Sequence, residues 1–149
     1  IQYFIDKILK IFFIQSFIMP SARFSVRISY IERPYSDDFE RYVGWLCDSL
    51  GLCTHDCDSA REILIQIIKS KKGISSTELS RILNKSRGAV INQLNKLMES
   101  GLIVKNGRFY RLRASTVERT LEELYEDIER TFTKFMKIAE LIDEQLRKL

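Results

Sequence analysis

At 149 residues, with 45% hydrophobic and 30% charged side chains, the chain can bury one respectable core plus an extension, and its composition argues against wholesale disorder. A formal net charge of +4 suits a polyanionic partner without specifying one. Three cysteines, an odd count without disulfide-framework spacing, fit a reducing cytosol, so a cytoplasmic location is expected.

The first eighteen residues, IQYFIDKILKIFFIQSFI, are rich in Ile and Phe. Their longest uncharged run stops before Arg23 and contains Gln15, Ser16 and Pro20, too short and too polar for a membrane span. No small-residue cleavage site follows Lys7 and Lys10, and Met19 offers a plainer start, so residues 1–18 read as an upstream extension. An amphipathic docking helix is the alternative. Phe24, Val26, Ile28 and Tyr30 alternate with polar residues, which predicts one half-buried strand ended by Pro34. Ser36 or Asp37 should then cap a helix with Phe39, Val43, Leu46 and Leu50 inward, stopped by Gly51.

Cys47, Cys53, His55 and Cys57 gather every cysteine and the only histidine within eleven residues. Thiolate and imidazole are preferred ligands of Zn²⁺, and Cys53, His55 and Cys57 could converge from alternate positions of an extended segment. The spacing matches no established zinc motif. Buried structural thiols beside an exposed histidine are the commoner outcome. Zn is therefore a candidate rather than a required cofactor. Asp58 or Ser59 begins the next helix, with Ile63, Leu64, Ile67 and Ile68 on its apolar face and Gly73 beyond it.

Ser75-Ser76-Thr77-Glu78 has the form of a capping box, and Leu79, Ile82 and Leu83 follow at helical spacing until Asn84-Lys85 breaks the pattern. Ser86 caps a second helix with Val90, Ile91, Leu94, Leu97 and Met98 inward and Gly101 as its stop. Asn106-Gly107 then separates two β-prone runs, a hairpin signal in which both turn residues would take positive φ. Helix, turn, helix and hairpin make a winged helix.

The stretch SRGAVINQLNKLMESGLIVKNGRFYRLR resembles the recognition helix and wing of archaeal transcription regulators in the broad ArsR/MarR-like winged-helix group. The resemblance covers about Ile63 to Arg113 well and the following helix more loosely. It implies a DNA-binding transcription regulator, although winged helices also bind proteins. Some ArsR-type repressors sense metals through cysteine clusters, which adds a metal- or redox-gated version as a second alternative. Charge supports DNA independently: from Ile74 to Arg113 eight basic residues stand against two acidic ones, a net of +6 that exceeds the +4 of the whole chain. On the second helix Arg87 would read guanine, Asn92 or Gln93 adenine, and Gly88 would allow close approach. Lys85, Ser86 and Lys96 would hold phosphates, with Lys105, Asn106 and Arg108 of the wing on the adjacent groove or backbone.

Ser115-Thr116-Val117-Glu118 reads as a further capping box, and no Gly or Pro follows it. Leu121, Tyr125, Ile128, Phe132, Phe135, Ala139, Ile142, Leu146 and Leu149 step alternately by four and three, an unbroken heptad seam. A helix of that length, about 50 Å at 1.5 Å per residue, is too long for one small domain to cover, so homodimerisation is expected. The mixture of large Phe and small Ala argues against a regular leucine zipper. No phosphate-binding loop, zinc-protease motif or catalytic grouping is present, so no enzyme is expected. The expected fold is mainly α with a small β-hairpin (α+β) and one N-terminal strand. Its expected divisions are the extension at 1–18, a strand and helix at 19–58, the winged helix at 59–113 and the dimerisation helix at 114–149.

Overall fold

The computed structural model describes residues 26–35, 37–52 and 57–149, with the side chain of Cys57 left out. Among the described residues five helices and three strands follow in the order α1 (Phe39–Ser49), α2 (Cys57–Lys69), β1 (Ile74–Ser75), α3 (Ser76–Leu83), α4 (Arg87–Glu99), β2 (Ile103–Asn106), β3 (Phe109–Leu112) and α5 (Val117–Arg147). The strands form one antiparallel sheet in the order β1-β3-β2. The fold is therefore mainly helical, a winged helix-turn-helix followed by a long C-terminal helix.

One core serves α1 to β3 and the first turns of α5. Ile63, Leu64 and Ile67 of α2 meet Leu79 of α3 and Val90, Leu94 and Leu97 of α4, with Ile103 and Tyr110 closing it from the sheet. Leu124 brings α5 onto the same core. The ends of the elements explain their lengths. Asp38 caps α1 by accepting from the Glu40 amide at 3.2 Å, so the helix starts later than Ser36 or Asp37 would allow. Ser75 and Ser86 cap α3 and α4 as their spacing predicts, while Thr116, rather than Ser115, caps α5. Gly51 takes φ +62° immediately after α1, where a side chain would also collide with Arg27 at 2.9 Å.

Three expectations are corrected here. The strand expected at Phe24–Tyr30 does not form over its described part; Phe24 and Ser25 lie outside the described residues. Its backbone finds other partners: the Ser29 amide donates to Ser49 O at 2.8 Å, and Trp45 Nε1 donates to Ile31 O at 3.2 Å. The third strand is instead Ile74–Ser75, paired with Tyr110 and Phe109. Second, α1 buries Val43 and Cys47 rather than Phe39 and Leu46; Phe39 is exposed beneath the Lys69 ammonium, 5.9 Å from its ring centroid. Third, the wing turn is shifted by one residue. Asn106 pairs with Phe109 as part of the ladder, so the two loop residues are Gly107 and Arg108. Only Gly107 has positive φ, +63°, as in hairpin turns with glycine at the first loop position.

The junction between wing and α5 is built rigidly. The Arg113 guanidinium, largely buried, binds Glu123 at 3.2 Å and also Asp127, which in turn holds Arg130. The fully buried Thr120 hydroxyl accepts from the Ala114 amide at 3.2 Å and donates to Thr116 O at 2.8 Å. These bonds fix the direction in which α5 leaves the domain. From residue 129 onward every side chain of the helix is exposed.

Candidate nucleic-acid interface

The interface is built on a tight joint between α3 and α4. Asn84 adopts the left-handed conformation, φ 51°, which ends α3 and lets Ser86 restart the chain as a helix. Ser86 Oγ then accepts from the Ala89 amide at 3.2 Å. Burial of Val90, Leu94 and Leu97 fixes the rotation of α4, and each residue turns the helix by about 100°. The outermost positions are therefore Gly88, Ala89, Asn92, Asn95, Lys96 and Glu99, all exposed.

The expected site residues do not all share that face. Gly88, Asn92 and Lys96 stand on it, whereas Gln93 is half-buried on the flank. Arg87 lies seven residues before the buried Leu94, hence on the side facing α3 rather than opposite the core. It is exposed at the helix start, and its Nε donates to Ser76 Oγ at 3.3 Å. Lys85 turns back toward α2, bound to the Ser59 hydroxyl and 3.5 Å from a Glu62 carboxylate oxygen. Asn95 was not singled out from the sequence, although its spacing of three from Asn92 is the signal that puts both on one helix face.

Gly88 has no internal reason to be glycine. A Cβ built there meets nothing within 4 Å, and no positive φ demands it. Glycine inside a helix costs up to about 1 kcal/mol relative to alanine. An unforced glycine on the outer face at the start of α4 leaves room for another molecule's atoms to approach the backbone.

The wing carries the second half of the surface. Lys105, Asn106 and Arg108 are exposed around the turn. The Arg108 guanidinium sits 5.1 Å from the Phe109 ring centroid, and Lys105 Nζ 5.5 Å from that of Tyr110. Of the eight basic residues between Ile74 and Arg113, Lys85 and Arg113 are spent on internal ion pairs. The other six, Arg81, Arg87, Lys96, Lys105, Arg108 and Arg111, are all exposed, so most of the positive charge faces solvent.

Of the cysteine and histidine cluster, Cys53 and His55 lie outside the described residues, as does the Cys57 side chain. Among the described residues no group of three or more His, Cys, Asp or Glu is gathered to hold a metal ion. Cys47 is buried in the core, and burial together with the neighbouring Asp48 pushes its thiol up from 9.0 to about 11. The folded state thus holds this proton longer than the unfolded chain. Its contribution is complete below about pH 9 and declines as pH rises toward 11, by roughly 2–3 kcal/mol in total. Urea titrations between pH 8 and 11 should show that decline, and Cys47→Ala should flatten it; equal slopes in both chains would contradict the assignment.

Among the described residues no helix is long and apolar enough to cross a membrane. No curated protein matches the chain, and no solved structure does. A family model does match: residues 58–104 fit winged helix-turn-helix DNA-binding domains, a span from the start of α2 into β2. The chain therefore contains a winged helix-turn-helix domain of the DNA-binding kind.

Proposed function

We propose that the chain is a sequence-specific transcription regulator that binds double-stranded DNA as a homodimer and works in the cytoplasm without catalysis. The observation that carries this reading is the unforced Gly88 on the outer face of α4, flanked by amide and basic side chains in a domain of the DNA-binding kind. In this reading α4 enters the major groove. Arg87, at the helix start, keeps donors beyond its bond to Ser76 for a guanine edge, and Asn92 and Asn95 offer amides to adenine. Gln93 reaches the groove wall from its flank, and Lys96 and the Ser86 hydroxyl hold phosphates. Lys105, Asn106 and Arg108 bring the wing onto the neighbouring backbone or minor groove. Lys85 contributes by holding α3 against α2.

The homodimer is supported by the seam on α5. Tyr125, Phe132, Phe135, Ile142 and Leu146 are each more than half exposed, and Ala139 and Leu149 continue their line. Leu121 and Ile128 are partly covered by their own domain. A row of large apolar side chains on a projecting helix is a surface made to be covered. Two linked domains would read a site with two-fold symmetry, its half-sites an integral number of duplex turns apart.

Selection from a randomised duplex pool with the purified chain tests the reading: a two-fold symmetric sequence should be enriched, and an unenriched pool would refute sequence-specific binding. Gly88→Ala gives a second test with opposed effects. Stability should rise by up to about 1 kcal/mol, because alanine is the better helix former and the space is open. Affinity for the selected site should nevertheless fall, since the added methyl group keeps the duplex away; unchanged affinity would mean that α4 does not make the close approach.

A further inference from the structure

The seam on α5 also carries information about how two copies meet. Resting on the homodimer reading above, we propose that the two α5 helices pack antiparallel in one register, with Phe135 of each chain against the partner's Ala139. In an antiparallel pair the alternating seam positions of one helix face the complementary ones of the other, so core registers differ by whole heptads. The proposed register sets Phe132 opposite the partner's Ile142 and Ile128 opposite the partner's Leu146, and the small Ala139 receives the Phe135 ring. Large side chains thus meet smaller ones at the centre of the rod, the complementarity that close packing requires.

Charge divides in this register: the basic helix end meets Glu126, while Glu129 shares a flank with the partner's Asp143. The first half of α5 is acidic on its flanks at Glu126, Asp127 and Glu129, and its end is basic at Arg147 and Lys148. Among the described residues Arg147 and Lys148 have no ion-pair partner. The antiparallel register brings the partner's Arg147 beside Glu126, which within its own chain lies 3.8 Å from Arg119, whereas Asp127 is already held by Arg113 and Arg130. Ile138, exposed beyond the seam proper, then falls next to the two-fold axis and near the partner's Ile138, with Leu141 beside it. This accounts for the apolar surface of the last three turns being wider than a/d positions alone would make it.

The rival arrangements are poorer. One heptad shorter, Lys134 would face the partner's Lys148 and Glu140 its own copy. One heptad longer, Lys134 would face its own copy and Glu126 the partner's Glu140, and the helix tip would run onto the part of α5 already covered by its domain. A parallel, in-register pair would set Ala139 against Ala139, leaving a gap between the Phe135 and Ile142 layers, and would place Ile138 beside the carboxylate of the partner's Asp143.

The test is a distance between spin labels at Lys148→Cys, an exposed site at the helix end, in the full chain carrying Cys53→Ser and Cys57→Ser. Sedimentation is run on the same sample. In the proposed register residue 148 lies opposite the partner's residue 126, an axial offset of about 33 Å between the two labelled positions. A dimer with a separation near that value supports the proposal. A dimer with labels about 10 Å apart, the spacing of adjacent helix axes, overturns the orientation. Offsets of about 22 or 44 Å overturn the register. A monomer would refute the homodimer reading itself, a separate failure. As an independent check that uses no labels, Glu126→Arg and Arg147→Glu should each weaken the dimer about tenfold and together restore most of it. Strictly additive losses would overturn the pairing, because only an antiparallel rod brings those two positions together.

Discussion

A chain ending at residue 130 is expected to sediment as a monomer and to bind its selected site about 10²–10⁴-fold more weakly than the full chain, the loss that follows when two linked contacts become one. The end point is chosen so that the domain survives. Leu124 and Ile128 keep their places against the core, and Arg113 keeps both Glu123 and Asp127. Only the fully exposed part of α5 is removed. Circular dichroism should therefore show a folded winged helix with fewer helical residues. An unchanged dimer would mean that another surface joins the subunits. Monomers that bind as tightly as the full chain would mean that dimerisation plays no part in recognition.

Leu94→Ala should have the largest effect on stability, a loss of about 2–5 kcal/mol in denaturant titration, as for other large-to-small changes in a filled core. Leu94 is fully buried where α4 crosses the rest of the module, and Val90 and Leu97 are buried on either side of it. The side chain is thus what sets the rotation of the recognition helix. Affinity for DNA should fall as well, even under conditions where the variant remains folded, because a loosened α4 no longer holds Asn92 and Asn95 in one orientation. Binding equal to that of the parent chain at a temperature where both are folded would show that the helix face is held by something other than this core contact.

The winged helix was legible because its signals are local. Ser75 and Ser86 cap the helices that follow them, Asn84 and Gly101 sit where the chain must reverse, and Val90, Leu94 and Leu97 keep helical spacing. What the sequence hid depends on partners distant along the chain. Ile74–Ser75 is too short to show alternation, and it is a strand only because β3 arrives beside it. The segment ending at Tyr30 alternates well but meets a helix end and an indole instead of a strand edge. Arg87 adjoins Gly88 of the outer face, but its place one heptad before Leu94 turns it toward Ser76. Lys85 is basic and lies in the turn, yet Glu62, far back in the sequence, claims it. On α5 the heptad pattern was complete in the sequence, but only the fold shows which of its turns the domain has already covered.

Salt dependence of duplex binding tests the central claim most directly. The full chain should be titrated into a labelled duplex carrying the selected site, and into scrambled DNA, at several salt concentrations between about 50 and 200 mM. Six exposed basic side chains lie on each domain's helix-turn-helix and wing. Neutralising three to six phosphates per domain should make log affinity fall with log salt at a slope of roughly −3 to −5 per domain, with tighter binding to the selected site throughout. Binding that ignores salt, or no binding to either duplex, would contradict the account and leave α4 and the wing as a surface for another protein.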